Sequence, residues 1–282
     1  MKTRIVLSLV VVGLCGCGGS SASDERDVVA AFYPLAFAAE QIGGEGVVVR
    51  NLTPPGVEPH DLELSGKDVR TIADAGTVFY LGEGFQPALE DAIDSTSANA
   101  VDLLDAVNTR PGGEEGGADP HVWLDPVRFQ AIASRMGETL DREAAAERFA
   151  HELRALDREF RGTLATCRRN EIVTSHSAFG YLADRYGLKQ VAITGISPES
   201  EPTPRDLEDI VRQVRAVGAT TVFFETLVSP RLAETVAREV GATAAVLDPL
   251  EGLTEEESAA GEDYFDVMRA NLAALRKALA CR

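Results

Sequence analysis

The sequence predicts an α/β protein of two strand–helix lobes joined by one long helix. Three observations predict it. Short β-branched apolar runs alternate with longer amphipathic stretches, the order of right-handed strand–helix–strand units that build open, mostly parallel sheets. Several runs are apolar almost throughout, as central strands covered on both faces are. Between the two sets lies a stretch rich in Ala, Glu, Arg and Leu with no glycine before Gly162.

Residues 1–16 read as a signal peptide rather than as part of the fold. Lys2 and Arg4 form a basic start, Ile5–Val12 is an apolar run too short to span a bilayer, and Leu14-Cys15-Gly16-Cys17 fits the bacterial lipobox. Cleavage after Gly16 leaves Cys17 as a lipid-bearing N-terminus. Residues 17–27 are small and polar and suit a flexible tether. This places the mature chain on the extracytoplasmic face of the bacterial cell membrane, periplasmic or at the cell surface. Loss of Lys2 and Arg4 takes the formal charge from −18 to −20.

In the first lobe, residues 28–141, strands are expected at Val28–Ala31, Val47–Asn51 and Thr77–Leu81, with helices at Pro34–Ile42 and Gly66–Ala75. Asp125-Pro126 is a helix start, an Asp N-cap followed by Pro in the first turn. The connecting helix, within 142–167, runs from Arg142 to about Ala165, with Phe149, Leu153, Leu156 and Phe160 forming one apolar stripe. Its ~24 residues would span about 36 Å. In the second lobe, 168–282, strands are expected at Ile172–Ser175, Gln190–Ile193, Thr221–Glu225 and Ala244–Leu247. The helices there are Ala178–Tyr186, Pro204–Val217 and Pro230–Val240.

The acidic balance, 45 Asp and Glu against 27 Lys and Arg, excludes nucleic acid as a partner, because phosphate binding needs clustered cations. Dinucleotide, phosphate-loop, zinc-protease and nucleophile-elbow motifs are absent. The two cysteines left after the signal, Cys167 and Cys281, are expected to form a disulfide outside the cytoplasm, closing a loop of 114 residues.

Three of the four histidines fall in loops or at strand ends. His60 follows the proline-braced Pro54-Pro55-Gly56-Val57-Glu58-Pro59, His121 opens His121-Val122-Trp123-Leu124-Asp125-Pro126, and His176 ends a strand. Asp248 and Glu225 end strands in the same way. Ligands of open α/β sheets bind beyond the carboxyl ends of strands, so these groups would face one another across a cleft. Three imidazoles and a carboxylate suit a tetrahedral cation such as zinc, and the lack of thiolates argues against copper(I). His151, among charges inside the long helix, reads as a surface residue.

These segments resemble the substrate-binding proteins of ABC-type zinc and manganese importers. The resemblance runs through Pro55-Gly56-Val57-Glu58-Pro59-His60 with Glu63, His121–Pro126, Thr174–Tyr181, Ile196–Pro202, Phe224-Glu225-Thr226 through Pro230, and Leu247-Asp248-Pro249-Leu250. It implies two similar α/β lobes, a rigid connecting helix and one metal bound between the lobes. Carried over by position, His60 and His121 are the first-lobe ligands and His176 and Asp248 those of the second. Glu225 is implied to sit behind a ligating imidazole and accept its other ring proton. His rather than Glu at position 176 favours zinc over manganese as cargo. The family's His-rich loop is missing: residues 108–119 are acidic, Gly-rich and without His, and read as a mobile solvated loop.

The resemblance further implies a monomeric carrier, not an enzyme, that captures free metal and docks on a permease driven by a cytoplasmic ATPase. Lipid on Cys17 would concentrate it there. Three alternatives stand beside this: manganese rather than zinc as the cargo, which the missing His-rich loop leaves open, an extracellular zinc hydrolase with Glu225 or Glu58 as general base, and a surface adhesin.

Overall fold

Among the described residues, β-branched and aromatic runs make eight short strands, which the structure, a computed structural model, sorts into two sheets. It describes residues 26–112, 116–199 and 202–282; the signal segment, Cys17 and nearly all of the tether lie outside these. The first lobe holds β1 (Arg26–Ala30), α1 (Tyr33–Gly43), β2 (Val47–Asn51), α2 (Gly66–Asp74), β3 (Thr77–Tyr80), α3 (Pro87–Thr96), β4 (Ala100–Asp102) and α4 (Pro126–Leu140). Its strands are all parallel, in the order β2-β1-β3-β4.

After α5 (Glu143–Leu164), the second lobe repeats the plan. It contains β5 (Glu171–Thr174), α6 (Gly180–Tyr186), β6 (Lys189–Ala192), α7 (Pro204–Val217), β7 (Thr221–Phe224), α8 (Arg231–Val240) and β8 (Thr243–Val246). Helices α9 (Glu255–Ala260) and α10 (Tyr264–Ala278) follow. Its order, β6-β5-β7-β8, is again parallel and is the same permutation as the first. In each lobe the winding reverses between the first strand and the third, which opens a crevice at the strands' carboxyl ends. The α/β class and both lobes match the expectation. β4 and α3 were not expected: Ala100-Val101-Asp102 is too short to show a period.

The connecting helix forms as its stripe dictates. Ala145, Ala146, Phe149, Leu153, Leu156, Phe160 and Leu164 of α5 are buried, and the helix packs on α1 and α4 of the first lobe and on α6 and α10 of the second. Gly137 permits the close crossing with α4, where a Cβ would stand 2.5 Å from that of Ala146. One apolar cluster therefore runs from Phe32 and Trp123 through α5 to Tyr264 and Leu275, while a smaller one lies under α7 and α8. His151 is exposed. Cys167, just past α5, is disulfide-bonded to Cys281, just past α10, so the ends of these two helices are pinned together.

Candidate metal centre

Each of the three histidines outside the long helix is fixed by its own backbone neighbourhood. Beyond β2 the chain is anchored by buried Thr53, whose Oγ1 donates to the Ala31 carbonyl at 2.8 Å. The prolines then deliver His60 to a 3-10 turn, Pro59–Asp61, where its N–H donates to the Glu58 carboxylate at 3.0 Å. The backbone N–H of His121 donates to Asp119 at 3.0 Å. His176 stands two residues past the end of β5, and its carbonyl accepts from Thr174 Oγ1 and Gln190 Nε2.

The side chains of His60, His121 and His176 converge with Glu251, one ligand atom from each lying within 4.8 Å of all the others. Glu251 Oε1 is 2.9 Å from His121 Nε2, 3.1 Å from His176 Nε2 and 3.4 Å from His60 Nε2; the two Nε2 atoms of His121 and His176 are 3.3 Å apart. Bonds of 2.0–2.1 Å to a tetrahedral zinc would put ligands about 3.3–3.4 Å from one another. The observed spacings are close to that edge. His121, His176 and Glu251 are all but inaccessible to solvent. Among the described residues, the buried polar atoms without a hydrogen-bond partner include His60 Nε2, Glu251 Oε2, Glu225 Oε2 and Glu58 Oε2, all in or beside this cluster. Buried polar atoms are rarely left so, and a cation would use His60 Nε2 directly.

The second-lobe carboxylate is a correction to the sequence reading. Asp248 does not enter the cluster. Its Oδ2 accepts from Thr226 Oγ1 at 2.6 Å and its Oδ1 from the Leu250 N–H at 2.6 Å. It caps the turn, and Glu251, three residues on, reaches the imidazoles instead. The signal was present in Asp248-Pro249-Leu250-Glu251, since Asp followed by Pro tends to spend its carboxylate on its own backbone. Glu225 does stand behind an imidazole: its Oε1 is 2.9 Å from His176 Nδ1 and also accepts from Ser175 Oγ. A residue the sequence reading missed, Asp119, does the same for His121, with Oδ1 2.8 Å from its Nδ1. Glu63 is exposed and away from this contact set.

The loop at 108–119 is tied down at its ends rather than free. Pro111 bridges Ala118, and the Arg110 guanidinium lies between Asp119 and Asp184 of α6. Residues 113–115 lie outside the described set. A cavity of about 310 Å³ bordered by His60, Phe85, Pro120 and Ile196, residues of both lobes, opens beside the cluster.

Electrostatics bind the four groups together before any metal arrives. Burial opposes the charge on Glu251, but the positive charge of His176 and hydrogen bonds from His121 and His176 outweigh it and hold the carboxyl well below its usual range. Burial likewise opposes protonation of His176, yet Glu251 and Glu225 raise its pKa well above the ordinary imidazole value; Asp119 and Glu251 raise His121. Burial and the Glu251 charge push Glu58 up to about 9, and burial pushes Asp248 up to about 7.

Comparison with known proteins accords with this geometry. A profile of the ZnuA family, described as zinc-uptake complex component A, periplasmic, matches residues 28–278. The zinc-binding lipoprotein AdcA of Streptococcus pneumoniae is 35% identical over 97% of this chain and 60% of its own length, so the chain spans about three fifths of that relative. The high-affinity zinc uptake system protein ZnuA of Bacillus subtilis is 32% identical over 98% of this chain and 96% of its length. The Zn(II)-bound ZnuA-like domain of Streptococcus pneumoniae AdcA superposes with a TM-score of 0.77 at 35% identity, covering 90% of this chain and 99% of that one. The chain belongs to the ZnuA family, the periplasmic components of zinc-uptake complexes.

Proposed function

We propose that this chain captures one zinc ion in the inter-lobe cleft, on His60, His121, His176 and Glu251, and delivers it to a membrane permease powered by a cytoplasmic ATPase. The observation that carries the proposal is the meeting of three imidazoles and one carboxylate oxygen within 4.8 Å of one another in a buried cleft. Manganese prefers more oxygen ligands and a larger coordination number, so this donor set favours zinc. Glu225 and Asp119 hold the His176 and His121 rings with Nε2 turned to the cargo, as carboxylates behind zinc-bound imidazoles do. Residues 28–141 and 168–282 act as the two walls of the cleft and α5 as their common spine. Lipid on Cys17 would hold the carrier at the outer face of the membrane.

A hydrolase on this scaffold is less well supported. The Glu58 carboxylate is turned to its own loop, where it accepts the His60 N–H. Glu225 is already committed to His176 and Ser175.

Titration of metal-free protein with zinc against a chelating competitor tests the proposal. Saturation at one equivalent, abolished in the His60→Ala, His176→Ala double variant, is the expected result. Full affinity in that variant would refute the site.

A further inference from the structure

The turn that presents Glu251 is built with more restraint than a loop needs. Leu250 has φ +57°, a left-handed conformation uncommon for a residue with a Cβ, and its side chain is wholly buried in the main apolar cluster. Such conformations persist only where the surroundings over-determine them. Here they do. Asn271, buried on α10, uses both ends of its amide on one residue: Oδ1 accepts from the Asp248 N–H at 2.8 Å and Nδ2 donates to the Asp248 carbonyl at 2.6 Å. The Asp248 carboxylate takes the Leu250 N–H, and Thr226 holds that carboxylate from the other side. The first lobe adds two further bonds, Trp123 Nε1 donating to the Pro249 carbonyl at 2.8 Å and the Gly56 N–H to the Leu253 carbonyl at 2.8 Å.

We infer that Asn271, through Asp248, is a specificity-determining positioning residue: it fixes the Glu251 carboxylate as a single-oxygen vertex of a four-ligand set and so sets the preference for zinc over manganese. The inference rests on the capture reading above. A carboxylate on a fixed turn offers one oxygen at one place, which suits a tetrahedral cation of short bonds. A carboxylate on a slack turn can rotate to offer both oxygens and admit water, the larger oxygen-rich shell that manganese accepts and zinc gains little from. Neither Asn271 nor Thr226 is among the residues whose side chains meet in the cluster, so neither would bond the cargo itself.

The test is a zinc–manganese competition on the full-length protein, with the visible spectrum of the cobalt(II)-loaded form as a report of geometry. The variants are Asn271→Ala, Thr226→Val and Glu251→Gln. In Asn271→Ala zinc affinity should fall about tenfold or more, the scale for partners standing behind metal ligands, while manganese affinity changes much less. The cobalt absorption should weaken as four-coordination is lost. Thr226→Val, which removes only a hydroxyl, should shift both readings the same way by a smaller amount, and it decides the matter should Asn271→Ala not fold. A zinc-to-manganese ratio and cobalt spectrum unchanged from the parent protein in a folded variant would overturn the inference while leaving the capture site intact. Zinc binding unaffected in Glu251→Gln would overturn the capture reading itself.

Discussion

Glu251 and Asp248 are both buried second-lobe carboxylates, yet their surroundings give them opposite tasks. The Glu251 carboxyl is held ionised against three imidazoles, whereas Asp248 spends both oxygens on Thr226 and on its own turn. Glu251→Gln is therefore expected to weaken zinc by more than about a hundredfold, beyond the range for residues that merely support a ligand. Asp248→Asn keeps an oxygen for the Leu250 N–H and should retain binding of one equivalent; competition titration separates the two. Protons compete with the metal because imidazole must be neutral to ligate. With His176 raised well above its ordinary value, zinc affinity should begin to fall at a pH above the ordinary imidazole range and keep falling on acidification.

The metal-free protein should respond oppositely in stability. His176, His121, Glu58 and Asp248 all have folded pKa values raised above their unfolded ones, so each contributes stability at low pH that is lost as pH rises through the folded value. Glu251 is lowered, and its contribution disappears only below the usual carboxylate range. Melts of metal-free protein should thus give a lower midpoint at pH 9 than at pH 6, with added zinc reversing the order. The three histidines could be picked out in the sequence from their local settings, a proline brace for His60, a strand end for His176 and the loop opening Val122-Trp123 for His121. The choice between Asp248 and Glu251 was legible only as far as Asp248-Pro249 hints at a turn; the rest depends on the hydrogen bond from Thr226 and on the turn conformation of Leu250.

Among elements, α5 and α10 form the spine that the loops lean on. α5 was legible from its length and its stripe at Phe149, Leu153, Leu156 and Phe160, all of which are buried. Leu156→Ala should cost about 2–5 kcal/mol in a denaturant titration. The Cys167–Cys281 pairing was legible from compartment and number alone, and the fold gives it a purpose: it joins the end of α5 to the end of the helix that carries Asn271. Closing a loop of 114 residues constrains the unfolded chain by about 4–5 kcal/mol. A reduced and alkylated sample should lose stability on that scale in urea, and an unchanged midpoint would mean the bridge adds little. β4 was hidden because three residues carry no period, although the pairing of Val78 with Ala100 makes it the edge of the first sheet.

At the scale of the whole molecule, the lobes are joined by direct contacts as well as through α5. Asp125, the N-cap of α4, is fully buried and gripped by Arg185 of α6 through two 2.8 Å bonds, with Arg128 on the same carboxylate. Tyr264 of α10 donates to the Trp123 carbonyl, so the segment after His121 is held by the second lobe as well. Removing Arg185 leaves a buried carboxylate with one partner fewer. Arg185→Ala should destabilise by on the order of 3 kcal/mol, and zinc should restore part of the midpoint because it binds only the folded state. Such cross-lobe contacts join residues 60 or more apart in sequence, so no local pattern announces them.

The central claim is that one zinc is held by His60, His121, His176 and Glu251. Anomalous diffraction at the zinc edge from crystals of the zinc-loaded protein tests it most directly. One cleft peak is expected, bonded to Nε2 of the three histidines and to a Glu251 oxygen, with Asp248 still bonded to Leu250. A peak bonded to Asp248 in place of Glu251, or none in the cleft, would contradict it.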